Sequence, residues 1–303
     1  MRTIPDPLLR AEAIHNPKTA FVCDGRERTF GEFVDRCRRV GKILDDLEVG
    51  HGERVGLLAA NSDTYAELYA GVPSSGRVIV PLNSRWAEPE LAYALEDAGA
   101  KILISDQDPG GLSSSVDRVL SFEDYEVRLS TSEPLDFADV KEDDLAGLFY
   151  TGGTTGKSKG VMLSHRNLIA NTLHSQITMP LDDDDTYLIV APMFHAAGSN
   201  SVLQCIALGI CQVVVPAFEP NRCLDLVEKH RCSATLAVPT MVAALIEAQA
   251  ATPRDTSSLR LIAHGASPIA TEVLRRANEE FPDAELLHLY GATETAPLVT
   301  GLR

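Results

Sequence analysis

The chain has 303 residues, 45% of them hydrophobic and 23% charged, with a net charge of −16. That balance describes a globular protein able to bury a sizeable core, and the acidic surplus argues against nucleic acid or an anionic membrane as its main partner. Six cysteines at 23, 37, 205, 211, 223 and 232 form no CxxC pair, no apolar run is long enough to span a membrane, and the N-terminus lacks a signal-peptide core. Reduced thiols, no integral membrane segment and a cytoplasmic location are therefore expected.

In chain order, residues 20–30 read as a β-hairpin turning at Asp24-Gly25. Thr29, three before Glu32, announces a capping box. The helix it opens buries Phe33, Val34, Cys37, Val40, Ile43 and Leu44 and ends near Val49-Gly50. Arg54–Ala60 is a strand, Asn61–Ser74 a helix that Pro73 ends early, and Val78–Leu82 a second strand. Trp86 is a packing residue in the connection to a helix over Glu88–Ala98, which Gly99 stops before a strand at Ile102–Ser105. Residues 107–140 read as loop with one weak strand.

Leu145–Phe149 is a short buried strand, and Ser164 caps a helix reaching about Ile177. The acidic run Asp182–Asp185 reads as a solvated boundary between two halves, 51–181 against 1–50 plus 186–303. Beyond it strands and helices alternate through Tyr187–Ala191, 200–208, Val213–Pro216, 221–231, Thr235–Val238, 240–250, Leu259–Ala263, 271–280 and Leu286–Tyr290. Strand–helix–strand order of this kind predicts an α/β fold: two parallel-rich sheets covered by helices, with ligands outside the carboxyl ends of the strands.

Four segments follow strands and carry chemistry. The first, Tyr150–Gly160 (YTGGTTGKSKG), lets backbone N–H groups at Gly152, Gly153, Gly156 and Gly160 crowd round one point. Thr151, Thr154, Thr155 and Ser158 add hydroxyls, and Lys157 and Lys159 add positive charge; a polyphosphate is the guest that suits such a loop. A P-loop is a rival reading, because Gly156-Lys157-Ser158 supplies its end, but its first glycine would fall at Thr151. The others are Pro192-Met193-Phe194-His195-Ala196-Ala197-Gly198, His264-Gly265-Ala266-Ser267-Pro268 and Tyr290-Gly291-Ala292-Thr293-Glu294-Thr295.

Together, and with Val161–Asn167 continuing the first, these segments resemble the adenylate-forming acyl-CoA synthetase superfamily over nearly the whole chain, most like the fatty-acyl-CoA ligases. The turn at 264–268 departs from the commoner two-glycine form by placing His264 before Gly265. The resemblance implies activation of a carboxylic acid by ATP to an acyl-adenylate, followed by transfer to a thiol, usually that of coenzyme A. It assigns ATP to Thr151, Gly152, Gly153, Thr154, Thr155, Gly156, Lys157, Gly265, Ala266, Ser267, Tyr290, Gly291, Ala292 and Thr293. It assigns Mg²⁺ to Glu294, the acyl pocket to His195, Ala196 and Gly265, and a part in catalysis to His195, Thr155 and Glu294. In that family the chain continues into a ribose-binding aspartate, a hinge and a small C-terminal domain with a lysine. Residues 1–303 are thus expected to be an incomplete large domain, poorly active alone or a catalytically silent binding module.

Overall fold

The computed structural model describes residues 1–152 and 157–302. It opens on helix α1 (Pro5–His15), not expected from the sequence; Pro5 stands in its first turn, where a missing N–H costs nothing, and Leu8 and Ala11 face inward. Strands β1 (Thr19–Cys23) and β2 (Arg26–Thr29) form the expected hairpin. Asp24 and Gly25 take φ of 50° and 77°, the left-handed geometry a two-residue hairpin turn demands. The capping box is closed in both directions, Thr29 N–H donating to Glu32 and Glu32 N–H to Thr29 Oγ1.

Helix α2 (Phe30–Asp46) buries all six expected residues. It ends earlier than Val49 because Glu48 takes the left-handed position after the cap. The Val49 N–H then returns to the Leu44 carbonyl and the Glu48 N–H to that of Asp45, each at 2.9 Å.

The next strands build a six-stranded sheet. Strand β3 (Arg54–Leu58) leads to helix α3 (Asp63–Ser74), and β4 (Val78–Pro81) to α4 (Glu88–Ala98), which Gly99 stops at φ 61°. Pro73 does not shorten α3; it lies in the last turn, one residue from the end. Strands β5 (Ala100–Ser105) and β6 (Arg118–Ser121) precede α5 (Phe122–Thr131), a helix where the sequence reading expected loop; Ser121 caps it, accepting from the Asp124 N–H at 3.0 Å. Strand β7 (Leu145–Thr151) then pairs antiparallel with β8 (Lys159–Ser164), so the glycine-rich loop joins two strands. The sheet order is β6-β5-β3-β4-β7-β8.

Helix α6 (His165–Thr178) follows, and the second sheet completes the chain. Its elements are β9 (Thr186–Ile189), α7 (Ala196–Leu208), β10 (Cys211–Val214), α8 (Pro220–His230), β11 (Ala234–Ala237) and α9 (Pro239–Ala251), then β12 (Leu261–Gly265), α10 (Thr271–Glu280), β13 (Glu285–Gly291) and β14 (Leu298–Leu302). The order is β14-β13-β12-β11-β9-β10-β1-β2, parallel except at its two edge pairs. Strand β14 returns antiparallel and was not expected. The acidic run is only partly solvated: Asp182–Asp184 are exposed, but Asp185 is buried, paired with Arg260 and accepting from Ser233 Oγ at 2.6 Å.

Alternation along the strands separates the cores. Tyr187, Ile189, Val214, Leu261 and Ala263 face a central layer shared with α2, α3, α6, α7 and the inner face of the six-stranded sheet. Leu188, Val213, Val215 and Ile262 face α8, α9 and α10. On the outer face of the six-stranded sheet, α4 covers Val80 and Leu103, with Trp86 half-buried against the same cluster, as expected. The molecule is therefore a layered stack of helix, sheet, helix, sheet and helix.

Candidate active site

At the carboxyl ends of β9, β11, β12 and β13 the second sheet opens into a cavity of about 330 Å³. Its walls are the turns after β9 and β12, the end of β13 with Pro297 and Leu298 behind it, and an inner side from α6 and α7 that presents Ser175, Asn200 and Ser201. Three of the four segments singled out in the sequence thus meet around one space. Of their residues, His195, Ala196, Gly265, Ala266, Tyr290, Gly291, Ala292 and Thr293 line it, whereas Ser267 and Glu294 do not.

The β9–α7 turn places His195 immediately before the first turn of α7. Gly198 is obligatory there, since a Cβ would stand 2.2 Å from the Pro192 carbonyl oxygen. The His195 ring tilts against Phe194 with centroids 4.4 Å apart. Desolvation by the surrounding walls, and then the charge of Arg85, hold its imidazole below the ordinary histidine range. His195 is therefore neutral at pH 7, and its imidazole can donate from one nitrogen and accept at the other.

At the end of β12, Ala266 takes φ 68°. Ser267 is exposed and does not cap the next helix, whose N-cap is Ala270. His264 is buried and does not line the cavity; it stacks on His288 of β13 at 4.9 Å, and its Nδ1 has no hydrogen-bond partner among the described residues.

Tyr290 stands at the mouth of the cavity, 67% exposed. The chain then makes a 3-10 turn, Thr293–Thr295, and doubles back so tightly that a Cβ on Gly291 would lie 1.9 Å from the Pro297 oxygen. Asn171 of α6 holds this return: its Nδ2 donates to the carbonyls of Thr295 (3.2 Å) and Leu298 (2.7 Å), and its Oδ1 accepts from the Leu298 N–H (3.0 Å). Asn171 was not expected from the sequence. Its signal was an amide at helical spacing among the apolar residues Leu168 and Ile169, where a buried polar group must find partners.

The glycine-rich loop caps the β7–β8 hairpin, with Tyr150 opposite Gly160 and Thr151 opposite Lys159. Gly153, Thr154, Thr155 and Gly156 lie outside the described residues. Thr151, Gly152 and Lys157 stand apart from the cavity lining. Lys157 Nζ sits 4.8 Å above the centre of the Tyr93 ring on α4, and Tyr150 O–H donates to Asp97 at 2.7 Å. Strand β8 passes beside the 293–295 turn, with Cα atoms within 8 Å. The hairpin that carries the loop and the turn that carries Glu294 are thus neighbours. Among the described residues, no group of three or more His, Cys, Asp or Glu side chains is placed to hold a metal, and no helix is long and apolar enough to cross a membrane.

A model of the family described as AMP-binding enzyme matches residues 9–303. The chain belongs to the AMP-binding enzyme family. It is 35% identical over 288 residues to a feruloyl-CoA synthase of an Amycolatopsis species, covering 92% of this chain and 57% of that protein. It is 32% identical over 294 residues to 4-coumarate-CoA ligase 1 of Narcissus pseudonarcissus, covering 90% and 53%. Among solved structures, a long-chain-fatty-acid-CoA ligase from Archaeoglobus fulgidus superposes with a TM-score of 0.92 at 26% identity, covering 99% of this chain and 66% of that one. The inhibitor-bound N-terminal domain of FACL13 from Mycobacterium tuberculosis gives 0.89 at 25% identity, covering 98% and 77%. The chain spans little more than half the length of the curated relatives it matches.

Proposed function

We propose that this chain acts as an acid–thiol ligase that binds ATP and a carboxylic acid and joins them as an acyl-adenylate, for later transfer to the thiol of coenzyme A. The observation that carries the reading is the convergence of three strand-end turns on one cavity, with strand β8 of the lysine-bearing hairpin beside the 293–295 turn. Both reactants are anions, so the protein must supply positive charge, donors and alignment at fixed places. Lys157 and the N–H groups of the 151–157 loop suit the β- and γ-phosphates. Tyr290, Gly265 and Ala266 offer a flat, small-residue slot for adenine, and Thr293 a hydroxyl for a phosphate oxygen. Neutral His195 can donate one ring N–H where the acid's carboxylate approaches.

Exposed Glu294 fits Mg²⁺ as a single hard oxygen ligand, the remaining positions falling to phosphate oxygens and water. Bound there, the ion would neutralise phosphate charge.

Within the carboxylic acids implied by the resemblance, fatty or related, the inner wall favours an aromatic acid carrying a hydroxyl over a saturated chain. Ser175, Asn200 and Ser201 are buried polar groups: Asn200 Nδ2 donates to Ser175 Oγ at 2.7 Å, and Ser201 Oγ lies 3.3 Å from Tyr187 O–H. A saturated chain would leave their remaining capacity unused, whereas a phenolic group can take it. The names of the feruloyl- and coumarate-activating relatives support the same choice.

ATP–pyrophosphate exchange, measured with ferulate, 4-coumarate and octanoate, tests both statements. Exchange that depends on acid and is strongest with the phenolic acids is expected; none with any acid would leave a silent binding module. Lys157→Ala should lower nucleotide affinity by about 1–3 kcal/mol, the worth of one charge-assisted hydrogen bond.

A further inference from the structure

We propose that Asn61 is a positioning residue of this site, setting the 191–195 turn and through it His195. The inference rests on the functional reading of His195 given above. Asn61 belongs to the six-stranded sheet, in the loop between β3 and α3, yet its side chain crosses to the other sheet. Its Nδ2 donates to the carbonyls of Ala191 (3.0 Å) and Val215 (3.3 Å), and its Oδ1 accepts from the Met193 N–H (2.8 Å). The residue is 7% exposed and does not line the cavity, so it acts only through the backbone it holds.

The chemistry of these contacts requires an amide. Two carbonyls need two hydrogens from one atom, and one N–H needs an acceptor beside them. A carboxylate lacks the donors, a hydroxyl has a single hydrogen, and glutamine is a methylene too long. One side chain thereby joins the ends of β9 and β10 and fixes Met193, two residues before His195. Gly198, pressed against the Pro192 oxygen, leaves the turn no room to settle elsewhere. A shift of one sheet on the other would move His195, because its turn is fastened to both.

The test compares Asn61→Ala with Ser62→Ala in the 303-residue chain. Ser62 caps α3, accepting from the Tyr65 N–H at 3.0 Å, does not line the cavity and, among the described residues, makes no side-chain hydrogen bond to the 191–195 turn, so its loss reports the helix cap. Two quantities are read: the NMR titration of the His195 ring, which needs no ligand, and the Kd of a feruloyl-sulfamoyl adenosine, an inert mimic of an acyl-adenylate. Asn61→Ala should return the His195 titration toward the ordinary histidine value and raise Kd roughly 5- to 10-fold, the loss of about one hydrogen bond's worth. Ser62→Ala should lower Tm while leaving both quantities within twofold of the parent.

If Asn61→Ala lowers Tm like Ser62→Ala but moves neither quantity, Asn61 is only structural and the proposal is overturned. An unchanged Kd in His195→Ala would instead overturn the reading of His195 itself. Should Asn61→Ala fail to fold, Asn61→Asp keeps the acceptor for Met193, lacks the amide donor, and reads the same two quantities.

Discussion

His165 shows how much a single buried residue contributes away from the cavity. It starts α6, is 1% exposed, and its Nδ1 accepts from the Ile4 N–H at 3.2 Å, tying the N-terminal helix to the end of β8. Burial pushes its imidazole down to about 4. The unfolded chain, with histidine near 6.5, therefore binds more protons between those values, and stability falls as pH drops from about 6.5 to about 4. The loss from this one group is on the order of 2–3 kcal/mol. Urea unfolding at pH 7 and pH 4.5 measures it. His165→Asn, whose oxygen can take the place of Nδ1 without titrating, should shrink the difference between the two pH values. An unchanged difference would assign the acid sensitivity to other groups. The position was legible in the sequence as part of the Val161–Asn167 motif, but its burial was not, because the partner lies 161 residues away.

Among the elements, a full buried stripe or strained turn chemistry could be read directly, whereas β8, β14 and α5, which bury little and lack such a turn, could not. Helix α2 declares itself by six apolar residues at helical spacing and a capping box. Strand β8 buries only Leu163 and leaves Met162 exposed; β14 buries only Leu298; α5 buries Tyr125 and Leu129 alone. Such segments are strands and helices because a neighbour pairs with them or their cap is satisfied, and neither is visible as periodicity. The Ser121–Asp124 cap was the one local sign of α5. The tight return after β13 has the same character: it is held from outside by Asn171. Asn171→Ala would leave the Thr295 and Leu298 groups without partners and should cost about 3 kcal/mol in denaturant unfolding. It should also weaken nucleotide binding, by loosening the turn that presents Thr293 and Glu294. A stability loss below about 0.5 kcal/mol would mean that water satisfies those groups equally well.

At the scale of the molecule, the alternation of strands and helices pointed to the layered α/β class, and the ends of the parallel strands to the place where the cavity lies. Strand order was out of reach. The N-terminal hairpin joins the sheet through β1 and β10, nearly two hundred residues apart, and β8, the second strand of the lysine-bearing hairpin, passes beside a turn formed at 293–295. Under the proposed function, that neighbourhood is what would let a single nucleotide touch both segments. Hydrogen–deuterium exchange with saturating Mg·ATP tests it most directly. Simultaneous protection of 150–160 and 290–295 is the predicted result; protection of one segment without the other, or of neither, would contradict it.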